Sequence, residues 1–276
     1  KGDRYVMNIQ CFHKLTTDFI TGSNPPYDRH DGYEIYLFIK GKTKMYIEQF
    51  CYKLAPGDML IISPGALHRV IITDNTPYER IAINFTRQDL LSLSTDKTSL
   101  TGCFDRVLSQ RSNIIHLSSY NLKKYINTAD RYISYSNSND YGSDLMGRCV
   151  FTELMVYTNR LYRELEVIHY DNIMPEIVLK TMQYIETNLT DELSLAALSS
   201  AIGYSPKYIS SQFKRNTGLS LREYIFDKRI EHSKKLLMKG KSVSEASLMS
   251  GFNDYSNFIR SFTKKTGTSP GHYMKN

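Results

Sequence analysis

Ser194 to Tyr224, SLAALSSAIGYSPKYISSQFKRNTGLSLREY, and Ser244 to Tyr273, SEASLMSGFNDYSNFIRSFTKKTGTSPGHY, are two copies of one pattern. Gly203-Tyr204 aligns with Gly251-Phe252, Phe213 with Phe262, and Gly218 with Gly267. After each of the last two glycines runs x-Ser-x-x-x-Tyr, ending at Tyr224 or Tyr273. The pattern predicts, in each copy, a short apolar helix, a sharp turn at Gly203 or Gly251 where positive φ is favoured, and a second helix. Ser205 before Pro206 reads as a helix cap with proline at the first helical position, and Asn253 or Asp254 caps the matching helix. Ile209 and Phe213, like Phe258 and Phe262, are four apart and turn inward. That leaves Lys207, Ser210, Ser211 and Lys214 outside on one helix, and Tyr255, Ser256, Arg260 and Lys264 outside on the other.

Hydroxyls and cations in that array suit nucleic acid. Arg260 has the fork to grip a guanine edge with two hydrogen bonds, and Lys214 and Lys264 suit phosphates. Between the copies, LREYIFDKRIEHSKKLLMKG reads as one helix of about 19 residues, roughly 28 Å long at about 1.5 Å per residue. Successive major-groove faces on one side of B-DNA lie ~34 Å apart, so such a spacer suits two helices reading adjacent turns of one duplex. The charge agrees. Of the net +7, the stretch from Pro206 to the end holds 14 Lys and Arg against 5 Asp and Glu, and the rest of the chain is slightly acidic. A concentrated surplus of this kind is what phosphate neutralisation requires.

Upstream the periodicity changes. GYEIYLFI, KMYIEQF, DMLIISP, HRVIIT and ERIAINF, between residues 30 and 86, are short runs rich in β-branched and aromatic residues. Lys40-Gly41-Lys42, Ala55-Pro56-Gly57-Asp58 and Asp74-Asn75-Thr76-Pro77 supply the turns, which together imply a small antiparallel barrel or sandwich. Leu122, Tyr125, Ile126, Ala129, Tyr132 and Ile133 then follow helical spacing, as do Val150, Leu154, Tyr157, Leu161 and Leu165. The polar SNSNDYGSD between them predicts a helical hairpin that covers the barrel and offers a dimer seam. HYDNIMP, His169 to Pro175, marks a boundary, so the expected domains are 1–168 and 169–276. The four cysteines are far apart without a C-x-x-C pair, no apolar run approaches the ~20 residues of a membrane span, and the first twenty residues lack a signal-like apolar segment. A reducing cytoplasm is the expected compartment, with no membrane partner.

The C-terminal stretch from about Ile177 to Tyr273 resembles the DNA-binding domain of the AraC/XylS family of bacterial transcription regulators. The resemblance implies that both second helices enter the major groove. By position, its base-reading slots fall on Lys207, Ser210 and Ser211 and on Tyr255, Ser256 and Arg260. The sequence departs from the family pattern at Ser199, Ser247 and Ala246. The strand region is similar, with less specific motifs, to the cupin-type sensor of many members: His30-x-x-x-Glu34, Gly41, Gly57-Asp58, Pro64-Gly65 and His68 follow the two cupin motifs in outline. The expected fold is therefore α+β, an N-terminal cupin-like β-barrel with a helical hairpin followed by an all-α domain of two helix-turn-helix motifs.

Strand parity puts Tyr36 and Phe38 on the face of His30 and Glu34. With His68, these residues form the candidate effector pocket, suited to a sugar or another polar small molecule; an ordinary barrel core is the alternative. No metal or cofactor is expected. Asp28, His30, Glu34 and His68 holding a divalent ion is the competing reading, with Asp28 standing where cupin enzymes have histidine. The resemblance implies promoter DNA, a homodimer and RNA polymerase as partners, an arm before Asp28 that closes over the ligand, and activation in preference to repression. Two other readings stay open: a cupin metalloenzyme fused to a DNA-binding tail, and a regulator governed by a protein partner. Against the enzyme, the sequence holds neither G-x-S-x-G nor H-E-x-x-H.

Overall fold

The computed structural model describes residues 7–18, 25, 27–48, 50–105, 114–164 and 172–274. The chain divides into two compact units, Lys1–Ile173 and Met174–Asn276. The boundary expected between residues 168 and 169 lies outside the described residues.

In the first unit, strands β1 (Gln10–Thr16), β2 (Tyr33–Lys40), β3 (Thr43–Ile47), β4 (Phe50–Lys53), β5 (Asp58–Ile62), β6 (His68–Ile72), β7 (Tyr78–Phe85) and β8 (Ile114–His116) form two antiparallel sheets. One has the order β1-β7-β2-β5-β8, the other β4-β3-β6. Every expected strand forms, but KMYIEQF ends β3 and begins β4. The chain reverses at Glu48, whose φ is 50°. That conformation is held on both sides, because the Glu48 N–H donates to the Leu67 carbonyl at 2.8 Å and its carboxylate accepts from the Leu67 N–H at 3.0 Å.

β2 is buried on both faces, which explains its nearly continuous apolar run. Tyr33, Ile35 and Leu37 belong to one core, while Tyr36 and Phe38 join Met45, Ile47, Leu60, Ile62 and Tyr78 in the core between the two sheets. The first core is closed by α2 (Ser119–Ser136) and α3 (Ser143–Glu164), which bring Tyr125, Phe151, Leu154 and Met155 against the larger sheet. These helices are antiparallel: Tyr157 Oη donates to Asn121 Oδ1 at 2.9 Å, and further along Arg131 donates to Glu153 at 3.2 Å. The hairpin thus covers the sheets as expected; Leu165, expected to extend it, lies outside the described residues. A short helix, α1 (Arg87–Leu93), follows β7 behind a reciprocal cap between Thr86 and Asp89.

The second unit is helical: α4 (Glu176–Thr187), α5 (Leu195–Ile202), α6 (Pro206–Thr217), α7 (Leu221–Met238), α8 (Val243–Met249), α9 (Tyr255–Thr266) and α10 (Pro270–Tyr273). The caps are those the sequence implies. Ser205 Oγ accepts from the Tyr208 N–H at 3.3 Å, and Asp254, not Asn253, caps α9 through the Asn257 N–H at 2.8 Å. Gly203 and Gly251 turn at φ 81° and 79°. The spacer α7 runs 18 residues and starts with a Ser220–Glu223 capping box.

Side chains of α7 tie the two motifs to it. Lys228 reaches Glu186 of α4 at 3.0 Å, and Lys265 of α9 reaches Asp227 at 2.8 Å. Arg229 donates to the carbonyls of Leu189 (3.0 Å) and Asp191 (2.8 Å) on the first motif's side, and its guanidinium packs on Gly251 of the second. A Cβ at Gly251 would meet Arg229 Nε and the Leu189 carbonyl at 2.9 Å, so this turn has no room for a side chain. Among the described residues no helix is long and apolar enough to cross a membrane.

Candidate functional site

Helices α6 and α9 each bury two large side chains and present the opposite face to solvent. Ile209, Phe213, Phe258 and Phe262 are fully buried. Lys207, Ser211, Lys214, Tyr255, Ser256, Arg260 and Lys264 are exposed. Ser210 is half-buried because it borders a cleft of ≈ 640 Å³ that Leu195, Leu221 and Arg229 also line.

Two groups of cations in this unit differ in their surroundings. Lys228 and Lys265 hold the helices together, as described above. Lys207, Lys214, Arg260 and Lys264 enter no ion pair among the described residues. A cation already held by a carboxylate has little left to offer a phosphate, whereas an unpaired exposed one retains its full electrostatic attraction. Each motif therefore carries outward cations beside hydroxyl groups, the chemistry that contacts phosphates and base edges.

The second candidate site lies between the sheets. His30 precedes β2, Glu34 sits on it, and His68 opens β6 in the opposite sheet. Glu34 Oε2 lies 2.9 Å from His30 Nε2 and 3.3 Å from His68 Nε2. Each imidazole turns its other nitrogen to a backbone carbonyl: His30 Nδ1 to Gly32 at 2.9 Å, and His68 Nδ1 to Ala66 at 3.0 Å. Carbonyls only accept, so both Nδ1 atoms carry protons and both Nε2 atoms converge on the carboxylate. Burial opposes ionisation of Glu34, but the hydrogen bonds from His30 and His68 outweigh it and hold its carboxyl down at about 2. Burial lowers the charged form of His30 too, and its bond to Glu34 reverses this, leaving its pKa raised.

Asp28 does not join them. It is exposed, its carboxylate accepts from the Arg29 N–H at 2.7 Å, and only its backbone meets His68. Tyr36 lies on the same face as Glu34, with its hydroxyl hydrogen-bonded to that of Tyr78. Burial pushes Tyr78 up to about 12 and Tyr36 well above the usual phenol range, so both act as neutral hydrogen-bonding groups. Phe38 is fully buried in the core beneath them.

The sequence reading did not single out Tyr78, Arg80 or Asn84. Arg80 lies 4.6 Å over the Tyr78 ring and 5.8 Å over that of Phe12. Asn84 pairs directly with Glu34 across β2 and β7. Its parity in ERIAINF, opposite to Ile81, Ile83 and Phe85, was the available signal.

Comparison with known proteins matches residues 20–119 to the AraC-like ligand binding domain and residues 198–276 to a helix-turn-helix domain. An HTH-type transcriptional regulator of Staphylococcus aureus is 24% identical over 258 residues, 92% of this chain, yet the chain spans only 33% of that relative's length. LumQ of Photobacterium leiognathi, carrying the name "Probable transcriptional regulator", is 25% identical over 250 residues, covering 90% of this chain and 91% of LumQ. The HTH-type regulator YobQ of Bacillus subtilis is 38% identical over 94 residues, 34% of this chain and 39% of YobQ. Among solved structures, ToxT from Vibrio cholerae aligns over 97% of this chain and 98% of its own at 12% identity, with a TM-score of 0.37.

Proposed function

The chain belongs to the AraC family of DNA-binding transcriptional regulators, with a ligand-binding domain ahead of its helix-turn-helix domain, and from that premise we propose that it is a cytoplasmic dimer that raises transcription when a small polar molecule, of the sugar class, binds between its N-terminal sheets. The observation that carries the DNA side is that Lys207, Lys214, Arg260 and Lys264 stand exposed on the outer faces of α6 and α9 and enter no ion pair among the described residues. Lys207, Ser210 and Ser211 read bases from the first helix, and Tyr255, Ser256 and Arg260 read them from the second. Lys214 and Lys264 hold phosphates. The hairpin leaves Tyr120, Leu145 and Met146 exposed, apolar area that suits the dimer seam. RNA polymerase is the partner through which activation acts.

On the sensor side, His30, Glu34 and His68 with the Tyr36 hydroxyl are the groups that fix a polar effector, over the apolar floor made by Phe38. Binding shifts the dimer between two arrangements by its differential affinity for them.

Two measurements test the reading. Arg260→Ala should cost about 1 to 3 kcal/mol of binding to a selected operator while leaving binding to scrambled duplex nearly unchanged. Equal losses on both would reduce Arg260 to a phosphate contact. Thermal unfolding against a panel of sugars and small organic acids should find a compound that raises the midpoint, since a ligand of the native state stabilises by mass action. A midpoint indifferent to the whole panel would overturn the small-molecule reading.

A further inference from the structure

We propose that the cleft between the two helix-turn-helix motifs is a second small-molecule site, one that takes an amphipathic anion, and that its occupant and DNA exclude one another. The ligand class is a compact apolar body carrying a single acidic group. The cleft measures ≈ 640 Å³ and lies wholly within the second unit. That volume falls in the range of roughly 300 to 1,000 Å³ found for small-molecule sites. Its lining comes from α5, α6, the first half of α7 and, through Asn253, the segment before α9, so an occupant touches both motifs.

The apolar part of the lining argues for a ligand with a body. Leu195, Leu198, Leu221 and Ile225 border the cleft, and Leu195 is 46% exposed. Leucines gain nothing from a hydrated phosphate, but they gain from apolar surface that covers them. The polar part sets the sign of the ligand's charge. Arg229 is half-buried and, of the five N–H groups of a guanidinium, it spends two, on the Leu189 and Asp191 carbonyls at 3.0 and 2.8 Å. It enters no ion pair among the described residues, and burial pushes its pKa below the usual guanidinium value. An anion beside it offsets that cost. Lys214 and Arg222 add exposed cations to the lining, again outside any ion pair among the described residues. Asp191 and Glu192 line the cleft as well, but both are exposed, and Asp191 offers Arg229 its carbonyl and not its carboxylate. Water screens those open charges more than it screens the half-buried guanidinium, so the balance at Arg229 favours an anion.

Competition with DNA follows from shared residues. Ser210 and Lys214 belong at once to this lining and to the outward set of α6. A bound acid takes Lys214 from a phosphate and brings a negative charge to the face that DNA must approach. Linkage makes the effect mutual: the factor by which the acid weakens duplex binding is the factor by which duplex weakens the acid. The cleft is then an inhibitory site, separate from the effector site of the first unit. The competition rests on the reading of α6 as a DNA-contacting helix, whereas binding of the anion does not.

Calorimetry on the full chain tests this with N-phenylanthranilate, two rings and one carboxylate, against its neutral carboxamide. One molecule of the acid should bind per chain, and the amide should bind about tenfold more weakly, the worth of one charge-assisted hydrogen bond. Leu195→Glu changes an exposed side chain in the first turn of α5, where an acidic residue suits the helix, and should weaken the acid by at least about tenfold. Arg229→Gln should weaken the acid and leave the amide unchanged. Circular dichroism and the thermal midpoint report the fold, and Leu195→Glu keeps the test decisive should Arg229→Gln fail to fold. A duplex of arbitrary sequence at low salt should displace the acid from wild type. No binding of the acid, or binding that neither variant alters, overturns the site. Equal affinity for acid and amide overturns the anionic class, and acid and duplex bound together overturn the competition. Variants that lose duplex while keeping the acid would make the cleft a DNA-contacting surface instead. A wild type that binds the acid but no duplex upholds the site and overturns the DNA reading.

Discussion

Gly203 and Gly251 occupy equivalent turns with nearly equal φ, but their surroundings differ. Beside Gly203 a new Cβ would meet nothing within 4 Å, while at Gly251 it would meet Arg229 and the Leu189 carbonyl at 2.9 Å. Alanine at position 203 therefore carries only the left-handed backbone cost, about 1 to 2 kcal/mol. At position 251 the clash adds to it, and the Arg229 contact between the motifs is displaced. Chemical denaturation should show Gly251→Ala losing at least about 1 kcal/mol more than Gly203→Ala; equal losses would mean that Arg229 yields freely. The repeat marks the two glycines as equivalent. Only the packing distinguishes them, because Arg229 lies between the copies in sequence and has no counterpart in either.

At the scale of elements, β1 is held to its neighbours by a histidine. His13 Nε2 lies 2.9 Å from Glu79 of β7, and its Nδ1 lies 2.8 Å from Asp130 of α2. Partial burial disfavours the imidazolium, but the bonds to Asp130 and Glu79 outweigh it and raise the pKa above 6.5. A raised histidine stabilises the fold fully below its unfolded value, and that contribution disappears as pH climbs through the folded value. Amide exchange in β1, corrected for its intrinsic pH dependence, should therefore speed up as pH rises from about 6 past that raised value. His13→Gln should remove the trend; a trend that survives it would locate the titrating group elsewhere. β1 was missed in the sequence for a related reason. QCFHKLT alternates polar and apolar residues only loosely, and its position at the sheet edge leaves it only partly buried. By contrast, β2, β5 and β7 carry dense apolar runs because neighbouring strands and both cores cover them.

For the whole molecule, the DNA-binding unit should behave as one body, because α7 ties α4 and the loop before α5 to α9 and the Gly251 turn. Lys214→Ala and Lys264→Ala, at the far ends of α6 and α9, should each lower the slope of log K against log salt by about 1, and together by about 2. The loss should be nearly the same on operator and scrambled DNA, in contrast to Arg260→Ala. A sequence-dependent loss would instead make these lysines base readers.

The sequence alone determined the helical unit almost completely. Its repeat, caps, inward phenylalanines and charge surplus are local signals, set by neighbours within a turn or two of helix, and Ser205, Pro206, Phe213 and Phe262 stand where the pattern puts them. Parity along a strand is equally local, so Glu34, Tyr36 and Phe38 share the expected face. Tertiary structure alone decided what meets across the sheets. Asp28, named by its place in a motif, gives its carboxylate to the Arg29 N–H and acts on His30 only through its charge, and Asn84, named by no motif, stands beside Glu34. Both follow from strand register and sheet pairing, which join residues about fifty positions apart along the chain, a distance over which sequence periodicity carries no information.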